Sequence, residues 1–271
     1  MPYVELPNSP HAPGIRPVKI HYRDVGSGPP VIFLHGGWGY RAYPIKRQID
    51  ALKDHIRFII PDRSGYGGST QVPGPMPVDF HQRAAEETLL VLEALGIKRA
   101  IFWGHSDGAV IAVKIGLSAP KRCERLLLEA FHFEPAKPNS RSFFQQFAAH
   151  PGDVKEKMQK LLIADHGRGD DKHRWKKVVQ RNCRVWLELA AQSKRPDDDL
   201  FDGQLSKLRV PATFMHGRGD PRTEPGELER VQEALPRAKM RYVETGRHSP
   251  HSERKSWQEC NEILREFLAR K

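Results

Sequence analysis

Cysteine is scarce in this chain: Cys123, Cys183 and Cys260 are its only 3, far apart and without a C-x-x-C pair. An odd number at such spacing argues against a disulfide framework or a zinc site, so the thiols read as reduced and buried and no metal is expected. Long hydrophobic runs are missing too. No stretch approaches the roughly 20 apolar residues that a membrane helix needs. The opening MPYVELPNSPHAPGIRPVKI has neither the basic start nor the apolar centre of a secretory signal. Together these absences lead us to expect a soluble, cytoplasmic protein with no membrane partner. Acidic residues are outnumbered, 33 Asp and Glu against 44 Lys and Arg, for a net charge of +11. That excess keeps anionic partners in view. No RNA- or DNA-binding motif and no stacking platform accompanies it, so no specific nucleic-acid partner is expected.

What is present is an alternation. In 271 residues, 38% of them apolar, one large core is the simplest arrangement. VIFLHG from Val31, IRFIIPD from Ile56, AIFWGHS from Ala100, RLLLEA from Arg125, ATFMHG from Ala212 and MRYVET from Met240 are short, apolar and end on polar or turn residues. Such runs suit parallel strands buried on both faces. Between them, VDFHQRAAEETLLVLEALG from Val78 carries apolar residues along one helical face, and Gly96 supplies a stop. DGAVIAVKIGLSAP and the closing SWQECNEILREFLARK read as helices by the same test. Strands alternating with helices predict an α/β fold around a parallel sheet. The alternation lapses from His132 to Gln204, where SFFQQFAAH, VKEKMQKLLIA and DKHRWKKVVQRNCRVWLELAAQ are all helical. That block is too long for a loop. It predicts a helical cap at 132–204 inserted into a core made of 1–131 and 205–271.

The stretch IFWGHSDGAV places Gly104-His105-Ser106-Asp107-Gly108 between a strand and an apolar helix. In that context G-x-S-x-G predicts a sharp turn that lifts a serine hydroxyl above the sheet. HGGWG, residues 35–39, offers turn amides near the same place, so the backbone N–H groups of Gly37 and Asp107 are candidates for an oxyanion hole. Asp220 follows a late strand and His248 follows the last one. Ser106, Asp220 and His248, in that order, match the chain order of a nucleophile, an orienting acid and a general base. His251 is a rival base, and Glu134 a rival acid.

LHGGWG, PDRSGYGGS, GHSDGA, HGRGD and GRHSPH together resemble the α/β-hydrolase family over nearly the whole chain, least clearly in the cap. The resemblance implies a mostly parallel eight-stranded sheet flanked by helices, with the cap following strand 6. It also implies hydrolysis through an acyl-enzyme without metal or cofactor. One departure is Arg247 directly before His248, where relatives often carry glycine. Dehalogenases and epoxide hydrolases of the family carry Asp at the centre of the turn, which here is Ser106. A small-molecule ester, thioester, amide or lactone is the expected substrate, esters first.

The GxSDG form also resembles valacyclovirase-type amino-acid ester hydrolases, in which the acid after the serine receives the substrate's amino group. Asp107 therefore has two readings, ammonium acceptor or helix cap, with capping the more economical. Trp38, Phe144, Trp175 and Trp186 are candidates to line an apolar substrate pocket. The segment 141–195 holds 13 Lys and Arg against 6 Asp and Glu, an excess that would draw anions toward the site. A non-catalytic binder on the same fold is the alternative from another class, and a homodimer is left open.

Overall fold

Each apolar run becomes a strand of one sheet, and its side chains divide between two cores. The computed structural model describes residues 2–169, 171–195 and 197–269. Its strands are β1 (Tyr3–Leu6), β2 (Val18–Gly26), β3 (Pro30–Leu34), β4 (Arg57–Pro61), β5 (Ala100–His105), β6 (Cys123–Glu129), β7 (Ala212–Gly217) and β8 (Lys239–Val243). They form an 8-stranded sheet in the order β1-β2-β4-β3-β5-β6-β7-β8. β3 to β8 pair in parallel, while β2 runs antiparallel to β1 and β4. The apolar runs do not announce β1 and β2, which lie at the sheet's edge and mix exposed polar with buried apolar residues.

Because successive strand side chains point to opposite faces, Val31 and Phe33 join one core while Ile32 and Leu34 join the other. The first core is covered by α1 (Lys46–Leu52) and α8 (Trp257–Ala269), whose Leu52, Ile263, Leu264 and Phe267 pack on Phe58 and Trp103. The second is covered by α2 (Phe80–Ala94) and α3 (Asp107–Ser118), through Phe80, Ala84, Val110 and Val113. The closing helix was expected to run to Lys271; its final two residues lie outside those described.

Between β6 and β7 come three cap helices, α4 (Arg141–Ala149), α5 (Glu156–His166) and α6 (Arg174–Gln192). α7 (Glu227–Ala234) follows β7. Phe144, Leu162, Val178, Val179 and Trp186 of the cap share the second core with the sheet helices. No described helix is long and apolar enough to cross a membrane.

Candidate active site

β5 stops and α3 begins around one residue, Ser106, whose backbone has φ 55° and ψ −121°. That region is unfavourable for a side chain other than glycine, so the surrounding structure must enforce it. The two flanking glycines show how. A Cβ on Gly104 would lie 2.2 Å from the Gly108 carbonyl oxygen, and one on Gly108 would lie 1.9 Å from the Leu34 oxygen. Only bare backbone lets strand, helix and the neighbouring β3 approach this closely.

The loops after β7 and β8 deliver the other two residues. His248 Nε2 is 3.2 Å from Ser106 Oγ, and His248 Nδ1 is 3.0 Å from each Asp220 carboxylate oxygen. Burial pushes the Asp220 carboxyl up, but the charge and hydrogen bond of His248 outweigh it and hold the group well below the usual range. Asp220 therefore stays ionised and keeps a proton on His248 Nδ1, leaving Nε2 to accept one from Ser106.

Gly37 and Asp107 line the same cavity as Ser106 and His248. Their N–H groups bond to no other described residue, Asp107 being the first residue of its helix. The loop carrying Gly37 is pinned from beneath, where Arg63 donates to the carbonyl oxygens of His35 and Gly36.

The Asp107 side chain does not cap its helix, the more economical of its two sequence readings. Instead its two oxygens accept from Asn182 Nδ2 at 2.8 Å and Trp186 Nε1 at 3.0 Å, both on α6. His81 of α2 lies 3.5 Å away. Burial raises the Asp107 carboxyl, but His81, Arg63 and the Trp186 indole together lower it to about 2. A buried anion thus ties the cap to the nucleophile turn.

The two rivals are otherwise engaged. His251 is fully buried, with Nδ1 2.7 Å from Glu129 and Nε2 3.0 Å from the Tyr43 carbonyl, so neither ring nitrogen is free for Ser106. Glu134 pairs with Arg230. Trp38, Phe144 and Trp186 do line the cavity. Trp175 does not: it is 1% exposed and belongs to the core beneath the cap, its place on the apolar stripe of α6 serving packing alone. Sequence reasoning missed further wall residues, among them Tyr43, His132, Asn182 and Arg222. His132 Nε2 is also 3.2 Å from Ser106 Oγ. Only its position just past the end of β6 hinted at this.

With this geometry in place the class is clear. The chain belongs to the α/β hydrolase family, whose model, described as alpha/beta hydrolase fold, matches residues 29–255. It is similar to serine hydrolase BPHL of Mus musculus, 23% identical over 254 residues covering 93% of this chain and 83% of that one. It is also similar to a 2-hydroxy-6-oxo-2,4-heptadienoate hydrolase of Pseudomonas putida, 26% identical over 220 residues covering 75% and 76% of the two chains. Among solved structures, a thermophilic esterase from Thermogutta terrifontis aligns with a TM-score of 0.71 at 20% identity, covering 99% and 98%. At that identity the likeness speaks for the fold alone.

Proposed function

We propose that this hydrolase is a serine esterase that cleaves a carboxylic ester, or a related acyl bond, of a small molecule through an acyl-enzyme. The observation that carries the reading is the line from Asp220 through His248 to Ser106 Oγ, with contacts of 3.0 Å and 3.2 Å on a strained strand-to-helix turn.

In this mechanism Ser106 Oγ attacks the acyl carbon as His248 Nε2 takes its proton. The carbonyl oxygen becomes an oxyanion and accepts from the Gly37 and Asp107 amides, with the helix dipole of α3 adding to the stabilisation. Collapse expels the alcohol, which leaves with the proton from His248. Water then gives a proton to His248 and attacks the acyl-enzyme. Release of the acid returns that proton to Ser106. Asp220 holds His248 in the tautomer both halves require. A reducing, cytoplasmic setting belongs to the same reading, supported by three buried free thiols.

The test is turnover of p-nitrophenyl acetate, butyrate and octanoate by wild type and Ser106→Ala. Hydrolysis that depends on Ser106, with an early burst of p-nitrophenol, is the expected result. Hydrolysis that survives in Ser106→Ala, or no acylation of Ser106 by any ester or by a fluorophosphonate, overturns the reading.

A further inference from the structure

The loop after β7 carries a second side chain into the site besides Asp220. Arg222, two residues on, lines the cavity that holds Ser106 Oγ and His248. Its guanidinium carbon lies 3.5 Å from the centre of the Phe143 ring and 5.7 Å from that of Phe144. Only its backbone N–H is bonded, to Asp220 Oδ1 at 2.9 Å. The guanidinium itself makes no hydrogen bond and no ion pair with any described residue.

Other arginines enclosed at the core–cap junction each have at least one protein acceptor, although the Nε of Arg63 and of Arg181 is left without one. Arg23 pairs with Asp62 at 2.7 Å, Arg63 donates to two carbonyls, Arg174 donates to Gly65 and Gly67, and Arg181 donates to Val72. Arg222 lies within electrostatic reach of two carboxylates, Asp220 and Asp107, and its guanidinium bonds to neither. Each Asp220 oxygen faces His248, and the Asp107 oxygens accept from Asn182 and Trp186. The half-buried guanidinium thus has no acceptor among the described residues and is open to the cavity. Stacking on Phe143 occupies its face and leaves its N–H edge, the side that binds carboxylates in a two-pronged manner.

Resting on the esterase reading above, we propose that Arg222 binds a carboxylate of the substrate, so that the natural substrate is an anionic ester or lactone carrying a free carboxylate beside the scissile acyl group. The same charge opposes an ammonium in this cavity. A substrate amino group would face an unpaired cation, and the Asp107 carboxylate nearby already accepts from Asn182 and Trp186 of α6. The basic cap around the site acts in the same sense, attracting anions from solution.

The experiment compares two esters of equal length, mono-p-nitrophenyl adipate and its methyl ester, each corrected for uncatalysed hydrolysis. Wild type should favour the charged ester in kcat/KM by on the order of 10-fold or more, the scale of hydrogen bonds to a charged group. Arg222→Gln should collapse that ratio toward one, mainly through KM, and Arg222→Lys should keep part of it. Free adipate should compete with p-nitrophenyl acetate in wild type, which tests the site without any variant. Equal rates on the two esters in wild type, an unmoved ratio in Arg222→Gln, or no competition by adipate would overturn the proposal. Monomethyl adipate titrated into Ser106→Ala and Ser106→Ala/Arg222→Gln separates the two readings. Arg222-dependent binding without turnover in wild type keeps the carboxylate site and removes the esterase, while Ser106-dependent turnover with no charge preference does the reverse.

Discussion

His132 and His248 stand at the same distance from the nucleophile, each with its Nε2 atom 3.2 Å from Ser106 Oγ, and their rings stack with centres 5.5 Å apart. A serine hydroxyl has one proton to give. In the proposed mechanism Asp220 fixes the proton of His248 on Nδ1, so His248 Nε2 accepts from Ser106, and His132 completes the arrangement by donating its own Nε2–H to Oγ. Burial, reinforced by Lys137, His248 and Arg222, keeps the His132 ring neutral, and its Nδ1 has no partner. In that mechanism His132 is a positioning donor, not a second base. His132→Phe should slow acylation about 10-fold, the scale of one hydrogen bond, while His248→Ala should remove the 10²–10⁴-fold contribution typical of a general base. Burst kinetics with p-nitrophenyl acetate measures both. Equal losses would leave the choice of base between His132 and His248 open and overturn the positioning role.

Asp220→Asn keeps the shape of the loop after β7 and changes what His248 Nδ1 faces. The amide nitrogen would meet an N–H and favour the other tautomer, putting the proton on Nε2, where it blocks transfer from Ser106. By analogy with serine proteases the rate should fall on the order of 10⁴-fold. Since Asp220 is held far below the usual carboxylate range, the acid limb of the wild-type pH–rate profile should not report its titration. A small effect of Asp220→Asn would require another acid, and Glu134 is committed to Arg230.

Asp107→Asn addresses the join between cap and core. The substitution sets an amide against the Asn182 amide and the Trp186 indole at a position 1% exposed. Breaking a buried charged network of this kind costs about 3 kcal/mol. The pH dependence follows from the sign of the shift. The folded carboxyl is lowered to about 2 from an ordinary value near 3.8, so its stabilisation is complete above the unfolded value and is lost as pH falls toward 2. Asp107→Asn should lower the melting temperature at neutral pH and flatten the fall in stability between pH 4 and pH 2. Simple esters and amino-acid esters should suffer alike. Selective loss of amino-acid esters would restore the ammonium-binding role to Asp107.

The parts legible in the sequence are those set by local rules. β5 is apolar up to His105 because both its faces are buried, and Gly104 and Gly108 are required by close backbone contacts of the turn. Asp220 and His248 declared themselves through their order past strand ends. The residues that escaped notice are placed by packing between distant segments. Asn182 lies in the middle of a cap helix, yet it bonds Asp107 and fills the space that a side chain on Gly37 would need. No periodicity distinguishes it from its neighbours. The same is true of Trp175 and Trp186, which share one helix and one buried stripe; only the cap's docking sends Trp186 to the site and leaves Trp175 in the core.

Phe144 and Trp186 stand as a partition, their rings stacked at 5.7 Å and 6°. On one side is the narrow cavity at Ser106, about 30 Å³. On the other is a cavity of about 400 Å³ lined by both rings together with Ala136, Pro138, Leu187 and Ala190. An acyl chain that runs from Ser106 into the larger cavity would displace one ring or the other. Trp186 is held by its bond to Asp107, whereas Phe144 is held by packing alone, so Phe144 is the ring that yields. Phe144→Ala should merge the two cavities and raise kcat/KM for p-nitrophenyl octanoate relative to acetate by about 10-fold. Truncating a buried Phe costs stability, about 3–5 kcal/mol, so Phe144→Leu serves as the gentler variant and should shift the ratio in the same direction. The ratio is the informative quantity, since lost stability alone would depress both rates together. An unchanged ratio in both variants would mean that the acyl chain takes another path from Ser106.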